Sequence, residues 1–415
     1  MISQLKALPD AIKQYLVITG NYWAFTLTDG ALRMLVVLHF HQLGYSPLEI
    51  AMLFLFYEFF GVVTNLVGGY LGARIGLNNT MNIGLGLQIA ALLMLLVPSN
   101  VLPAIVAGVP WVMAAQALSG IAKDLNKMSA KSAIKTLIPK DAQGKLYHWV
   151  AVLTGSKNAL KGVGFFLGGL LLTAMGYQGS LAFMAAALAV VWLLSLYLLK
   201  QDLGKAKAKP KFSQMFSKSR EINVLSAARL CLFASRDVWF VVALPVYFAT
   251  QLNWSSWEVG SFMAAWVIGY GVVQAYAPNF TGKKSGKVPT GQQAIIWLLP
   301  LIFLPALIAT ALIYDIDPTL VLITGLLVFG GIFAINSSLH SYLIVSYASS
   351  EGVSMDVGFY YMANAAGRLL GTVFSGLVYQ MYGLTACLIA SSALLVFALL
   401  FSVGLPQHPK SSNNA

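Results

Sequence analysis

The chain has 415 residues, 58% of them hydrophobic and only 10% charged, with a formal net charge of +12. A soluble domain carries about 25% charged residues, so this composition excludes one and makes the bilayer the solvent. Most of the positive charge sits in short connections between apolar stretches, which reads as a membrane-topology signal and excludes nucleic acid as a partner.

Apolar stretches of roughly 20 residues, each long enough to cross the hydrocarbon core, recur almost to the C-terminus. Lipid offers backbone groups no partner, and the stretches are too long and too evenly apolar for barrel strands, so the expected fold class is all-α. Twelve spans are predicted: 15 to 42, 47 to 73, 79 to 98, 110 to 137, 146 to 175, 178 to 199, 222 to 250, 256 to 278, 292 to 313, 318 to 347, 356 to 381 and 384 to 404. The first is read as a retained span, because it carries Asp29 and Arg33 and no small-residue cleavage site follows it. Asn21, Asp29 and Arg33 fall at multiples of four along it and share one helix face, and Asp29 with Arg33 has the spacing of an i,i+4 ion pair.

The turn after the first span, Gln42 to Ile50, lines up with Gln251 to Val259 after the seventh, with four identities in nine positions. Ser46 with Glu49 and Ser255 with Glu258 both have capping-box spacing. Matching segments at equivalent points of two halves point to a duplication. The basic segment between them suggests a division into 1–199, a linker 200–221, and 222–415. The predicted inner connections contain Arg74, Lys140, Lys145, Lys200 to Arg220, and Lys283 to Lys287, whereas the outer ones contain no Lys or Arg. That asymmetry predicts an even number of spans with both termini cytoplasmic.

A charge near mid-membrane costs roughly 2.5 to 3.5 kcal/mol, so each needs a reason. The second span holds Glu58; the fourth Lys123, Asp124, Lys127 and Lys131; the fifth Lys157 and Lys161; the seventh Arg229, Arg236 and Asp237; the eleventh Asn364 and Arg368. Lys131 is expected to snorkel to the interface. Arg236 and Asp237, about 100° apart on a helix, are expected to pair with other helices. Too few acids are present to neutralise the lysines, and the economical reading is a cationic cavity for a small anionic substrate with more than one negative group. Arg33, Lys123, Lys127, Lys157, Lys161, Arg236 and Arg368 are the candidate substrate-binding residues, with Arg33 and Arg236 expected to face each other across the cavity. Asp29, Glu58, Asp124 and Asp237 are the candidates for coupling or gating. His148 and His340 are read as packing residues more readily than as proton carriers. Cys231 and Cys387 lack metal-ligand spacing, and neither a metal nor a cofactor is expected.

Two six-helix halves joined by a basic loop resemble the major facilitator superfamily. Gly69, Arg74 and Gly76 fall in the segment that matches its cytoplasmic loop motif, with Ala73 where the family's acid stands, so Arg74 is expected to pair with a helix C-terminus or to anchor the loop. Gly164, Gly168 and Gly169 resemble the glycine motif of the superfamily's antiporters, although Phe165 replaces its proline. Close helix packing is the simpler explanation of those glycines. The segments Asn21 to Met34 and Ser119 to Ser132 resemble the organoarsenical efflux permeases of bacterial arsenic-resistance operons. That resemblance implies export of 1-arseno-3-phosphoglycerate across a bacterial inner membrane, in functional partnership with a glyceraldehyde-3-phosphate dehydrogenase. The rival of the same fold is a sugar-phosphate or organic-anion exchanger. An enzyme is not expected, since no paired carboxylates, metal cluster, nucleophile motif or phosphate loop is found.

Overall fold

A computed structural model of the chain describes residues 10–97, 108–137, 143–199, 219–281, 290–347 and 353–406. Every regular element among them is an α-helix: α1 (Asp10–Gln42), α2 (Pro47–Leu53), α3 (Leu55–Ile75), α4 (Leu77–Leu96), α5 (Val109–Leu137), α6 (Gln143–Leu198), α7 (Arg220–Phe240), α8 (Ala243–Thr250), α9 (Ser256–Phe280), α10 (Gly291–Ile313), α11 (Pro318–Tyr347) and α12 (Val353–Val403). The linker 200–218 and the connections holding Lys140 and Lys283 to Lys287 lie outside the described residues, as do the side chains of Gly69, Arg74, Lys131, Lys145 and His148.

These helices make twelve crossings, and the predicted connections at 176–177 and 382–383 fall on bends within α6 and α12. The 56 residues of α6 would extend roughly 84 Å if straight, far more than one bilayer needs. The helix doubles back at Gly176 (φ 67°), and α12 does so at Gly383 (φ 76°), a backbone region that a side chain would strain. The fifth and sixth spans, and the eleventh and twelfth, are therefore joined by a single glycine and not by loops. Conversely, the predicted spans 47 to 73 and 222 to 250 are each broken, into α2 and α3 and into α7 and α8. At the second break, the freed N–H groups of Val242 and Ala243 both donate to Ser375 Oγ, at 3.2 and 3.0 Å. A neighbouring helix thus satisfies backbone that lipid cannot.

Among the described residues, eight segments are long and apolar enough to cross a membrane, and two of them, Ser156–Leu198 and Gly358–Val403, are the double-length bent pairs. The remaining crossings are α1 and α5, which carry Asp29 and Arg33, and Lys123, Asp124 and Lys127. The charges of both are turned inward.

The pseudo-symmetry of the two halves is visible in matched contacts. The Ser46 N–H donates to Glu49 Oε2, and the Ser255 N–H to Glu258 Oε2, each at 2.8 Å. Aligning Gly176 on Gly383 sets Gly164 on Gly371, Gly169 on Gly376 and Lys161 on Arg368. A Cβ on Gly164 would strike Leu27 and Gly30 of α1, and one on Gly371 would strike Ala234 and Asp237 of α7. A Cβ on Gly169 would strike Ser256 and Trp257 of α9, and one on Gly376 would strike Pro47 and Leu48 of α2. The fifth span therefore packs on the first and eighth as the eleventh packs on the seventh and second. Simple close approach accounts for these glycines. The last two contacts cross between the halves, at the end of the bundle that bears the short turns. Gln42 Nε2 to Ser256 Oγ (3.1 Å) and Leu48 N–H to Gln380 Oε1 (3.1 Å) join the halves at the same end.

Candidate functional site

A central cavity of about 200 Å³ lies between the halves. It takes Asp29 and Arg33 from α1, Lys123, Asp124 and Lys127 from α5, Lys157 and Lys161 from α6, Arg229, Arg236 and Asp237 from α7, and Arg368 from α12. The structure thus brings all seven candidate binding residues to one place. Eight cations line the cavity against three acids. Glu58, fully buried just behind, is the fourth acid of the cluster. Part of the wall is apolar, from Phe165, Phe233, Phe240 and Trp266. Gly76, which begins α4 with φ 90°, is not part of the lining.

The acids do not pair as the spacing suggested. Arg33 bypasses Asp29 and donates from Nη2 to Glu58 Oε1, while Asp29 Oδ1 accepts from the Tyr57 hydroxyl at 2.6 Å. An i,i+4 arrangement makes an ion pair available, but packing of α3 against the same face offers closer partners. Glu58 Oε1 also accepts from Arg368 Nη2 at 2.6 Å, which ties α3 in the first half to α12 in the second. Arg236 and Asp237 do pair with each other, contrary to expectation: Nη2 and Nε lie 2.5 and 2.6 Å from Oδ1. The long arginine stem folds back across the angle that separates their Cα–Cβ bonds. Arg368 Nε stands 3.6 Å from Asp237 Oδ2.

Lys123 and Lys127 are not without counter-charge either. They share Asp124, at 3.9 and 2.9 Å, and Lys127 also donates to Asn65 Oδ1 at 2.6 Å. Lys123 Nζ sits 4.0 Å from the centroid of the Tyr57 ring, a cation–π contact that offsets part of its desolvation. Among the described residues, Lys161 and Arg229 have no acid partner. Lys161 Nζ lies 5.5 Å from the Phe165 ring centroid. Arg229 donates from Nε to Asn364 Oδ1 at 2.8 Å and from Nη1 to the carbonyl and hydroxyl oxygens of Ser337 at 3.0 Å. It was not among the candidate binding residues, although it stands two helical turns from Arg236 and so on the same face. The polar residues Asn158 and Gln274 were missed as well; the Asn158 amide donates to Gln274 Oε1 at 2.9 Å, between α6 and α9. The match of Lys161 to Arg368 across the two halves was legible in the sequence once Gly176 was set on Gly383. His340 is fully buried and outside the lining, with neither ring nitrogen hydrogen bonded among the described residues.

This positively charged site lies between two pseudo-symmetric helical bundles, the place where transporters built from repeats hold their substrates. Among curated proteins no relative matches the chain. A crystal structure of a bacterial homologue of the iron transporter ferroportin, in an inward-facing state, is similar in fold, with a TM-score of 0.69 at 15% identity, covering 95% of this chain and 98% of that one. The sequence model described as Major Facilitator Superfamily matches residues 16–351, most of the chain and all but the last two crossings. With twelve helices, matched contacts in the two halves and a cavity between them, this chain belongs to the Major Facilitator Superfamily and is a membrane transporter, not an enzyme.

Proposed function

We propose that the transporter exports a polyanionic organoarsenical, 1-arseno-3-phosphoglycerate, by alternating access, and thereby confers resistance to arsenate. The observation that carries this reading is the excess of eight lining cations over three acids. Such an excess is costly in a membrane and is compensated when a multiply charged anion enters. Planar guanidinium forks suit pairs of oxygens on phosphate and arsenate groups, and lysines add movable point charges. A metal cation is a poor fit for the same reason. The resemblance of Asn21 to Met34 and Ser119 to Ser132 to organoarsenical permeases supplies the identity of the anion. On this reading the protein lies in the bacterial inner membrane with both termini cytoplasmic, surrounded by lipid. It depends on a glyceraldehyde-3-phosphate dehydrogenase that esterifies arsenate, and it uses no cofactor.

In cells given the transporter and the dehydrogenase and challenged with arsenate, cellular arsenic is expected to fall. Arg33→Gln and Arg236→Gln, at equal protein levels, are each expected to abolish that fall. An unchanged fall in either variant would remove the arginine from the binding site.

A further inference from the structure

Glu58 holds cations from both halves through a single oxygen. Its Oε1 accepts from Arg33 of α1 and, at 2.6 Å, from Arg368 of α12. Its Oε2 has no hydrogen-bond partner among the described residues, and the side chain is fully buried. The carboxylate therefore fills a notch between two guanidinium groups, one from each bundle. That is the position in which two forks would converge on an oxyanion from solution.

A carrier with surplus buried cations meets a difficulty on its return stroke. Passing between outward and inward states strips water from the cavity, and charges stripped of water need a counter-charge. A bound anion supplies one on the loaded stroke. On the empty stroke the counter-charge has to come from the protein. Asp124 already answers Lys123 and Lys127, and Asp237 answers Arg236, both from their own half. Among the described residues Glu58 alone bridges the halves by an ion pair at the cavity.

We propose that Glu58 is a tethered substitute for the anionic substrate. Resting on the anion-transport reading above, this assigns the notch between Arg33 and Arg368 to one oxyanion terminus of the substrate. A phosphate or arsenate group displaces the carboxylate on loading, and the carboxylate returns on release. The empty carrier then closes with its arginines neutralised, so the protein performs net transport and is not bound to one-for-one exchange. Without the carboxylate, only an anion from solution can fill the notch, and the same protein becomes an exchanger.

The test needs no organoarsenical. Spin labels at Leu43→Cys and Tyr382→Cys, both on exposed positions near the cross-half contacts, report the separation of the halves in purified full-length protein. Without ligand, the protein with native Glu58 is expected to show two distance populations. Glu58→Gln is expected to deplete one of them at least tenfold, and millimolar inorganic phosphate to restore it. Glu58→Asp, which keeps the charge, is expected to retain both populations. Two unchanged populations in Glu58→Gln, a single population with native Glu58, or no recovery with phosphate would overturn the proposal. Loss in Glu58→Asp equal to that in Glu58→Gln would mark a merely structural role and overturn it too. Failure of organoarsenical transport with these populations as expected would strike the substrate assignment alone.

Discussion

Asp237→Asn is expected to lower the unfolding free energy by about 3 to 5 kcal/mol, the range for removing one member of a buried ion pair. The carboxylate is 1% exposed, and it answers Arg236 at 2.5 Å and Arg368 at 3.6 Å. Its loss leaves both guanidinium groups in a cavity already rich in positive charge. Asp29→Asn is the matched control. The Asp29 carboxylate accepts one hydrogen bond from Tyr57 and makes no ion pair among the described residues. An amide oxygen can still accept that bond, so the cost is expected to be about 1 kcal/mol. Denaturation midpoints of the two variants in detergent give the comparison. Equal losses would mean that the ion pair at Asp237 contributes nothing beyond a hydrogen bond.

Removing a cation is expected to act in the opposite sense. Lys161 has no acid partner among the described residues, only the ring of Phe165. Lys161→Met therefore strands no counter-charge and removes a desolvated ammonium, so stability is expected to rise by about 1 kcal/mol. Transport is expected to fall about 100-fold, because a charge-assisted contact to a substrate oxyanion is worth about 1.5 to 3 kcal/mol. A gain in stability with a loss of transport is the signature of a residue kept for its substrate. A loss of both would place Lys161 in the structural framework instead.

Apolar length located the crossings, because a helix that faces lipid must be largely apolar, although α1 and α5 carry charges that take them below a purely hydropathic threshold. Burial cost pointed to seven of the eight cations that line the cavity, because a charged side chain in a span has nowhere else to go, but not to Arg229, Asn158 or Gln274. The partners were not legible. Whether Arg33 meets Asp29 or Glu58 depends on how α3 rotates against α1, and spacing along one helix carries no information on that. Arg236 with Asp237 shows a related failure, since directions of Cα–Cβ bonds underestimate the reach of an arginine. The link from Glu58 to Arg368 joins residues in opposite halves, where no local pattern sets the register. The bends at Gly176 and Gly383 fall in the two-residue gaps predicted between spans, and their alignment shows a second repeat signal, with Lys161 on Arg368.

The central claim is that the cavity carries an organic arsenic polyanion, and uptake by everted membrane vesicles tests it most directly. Vesicles with and without the transporter receive arsenate, glyceraldehyde 3-phosphate, NAD and the dehydrogenase, alongside controls with arsenate alone and 3-phosphoglycerate alone. Arsenic is expected to accumulate only where the transporter and the full generating mixture are both present. Accumulation from free arsenate at the same rate would contradict the account.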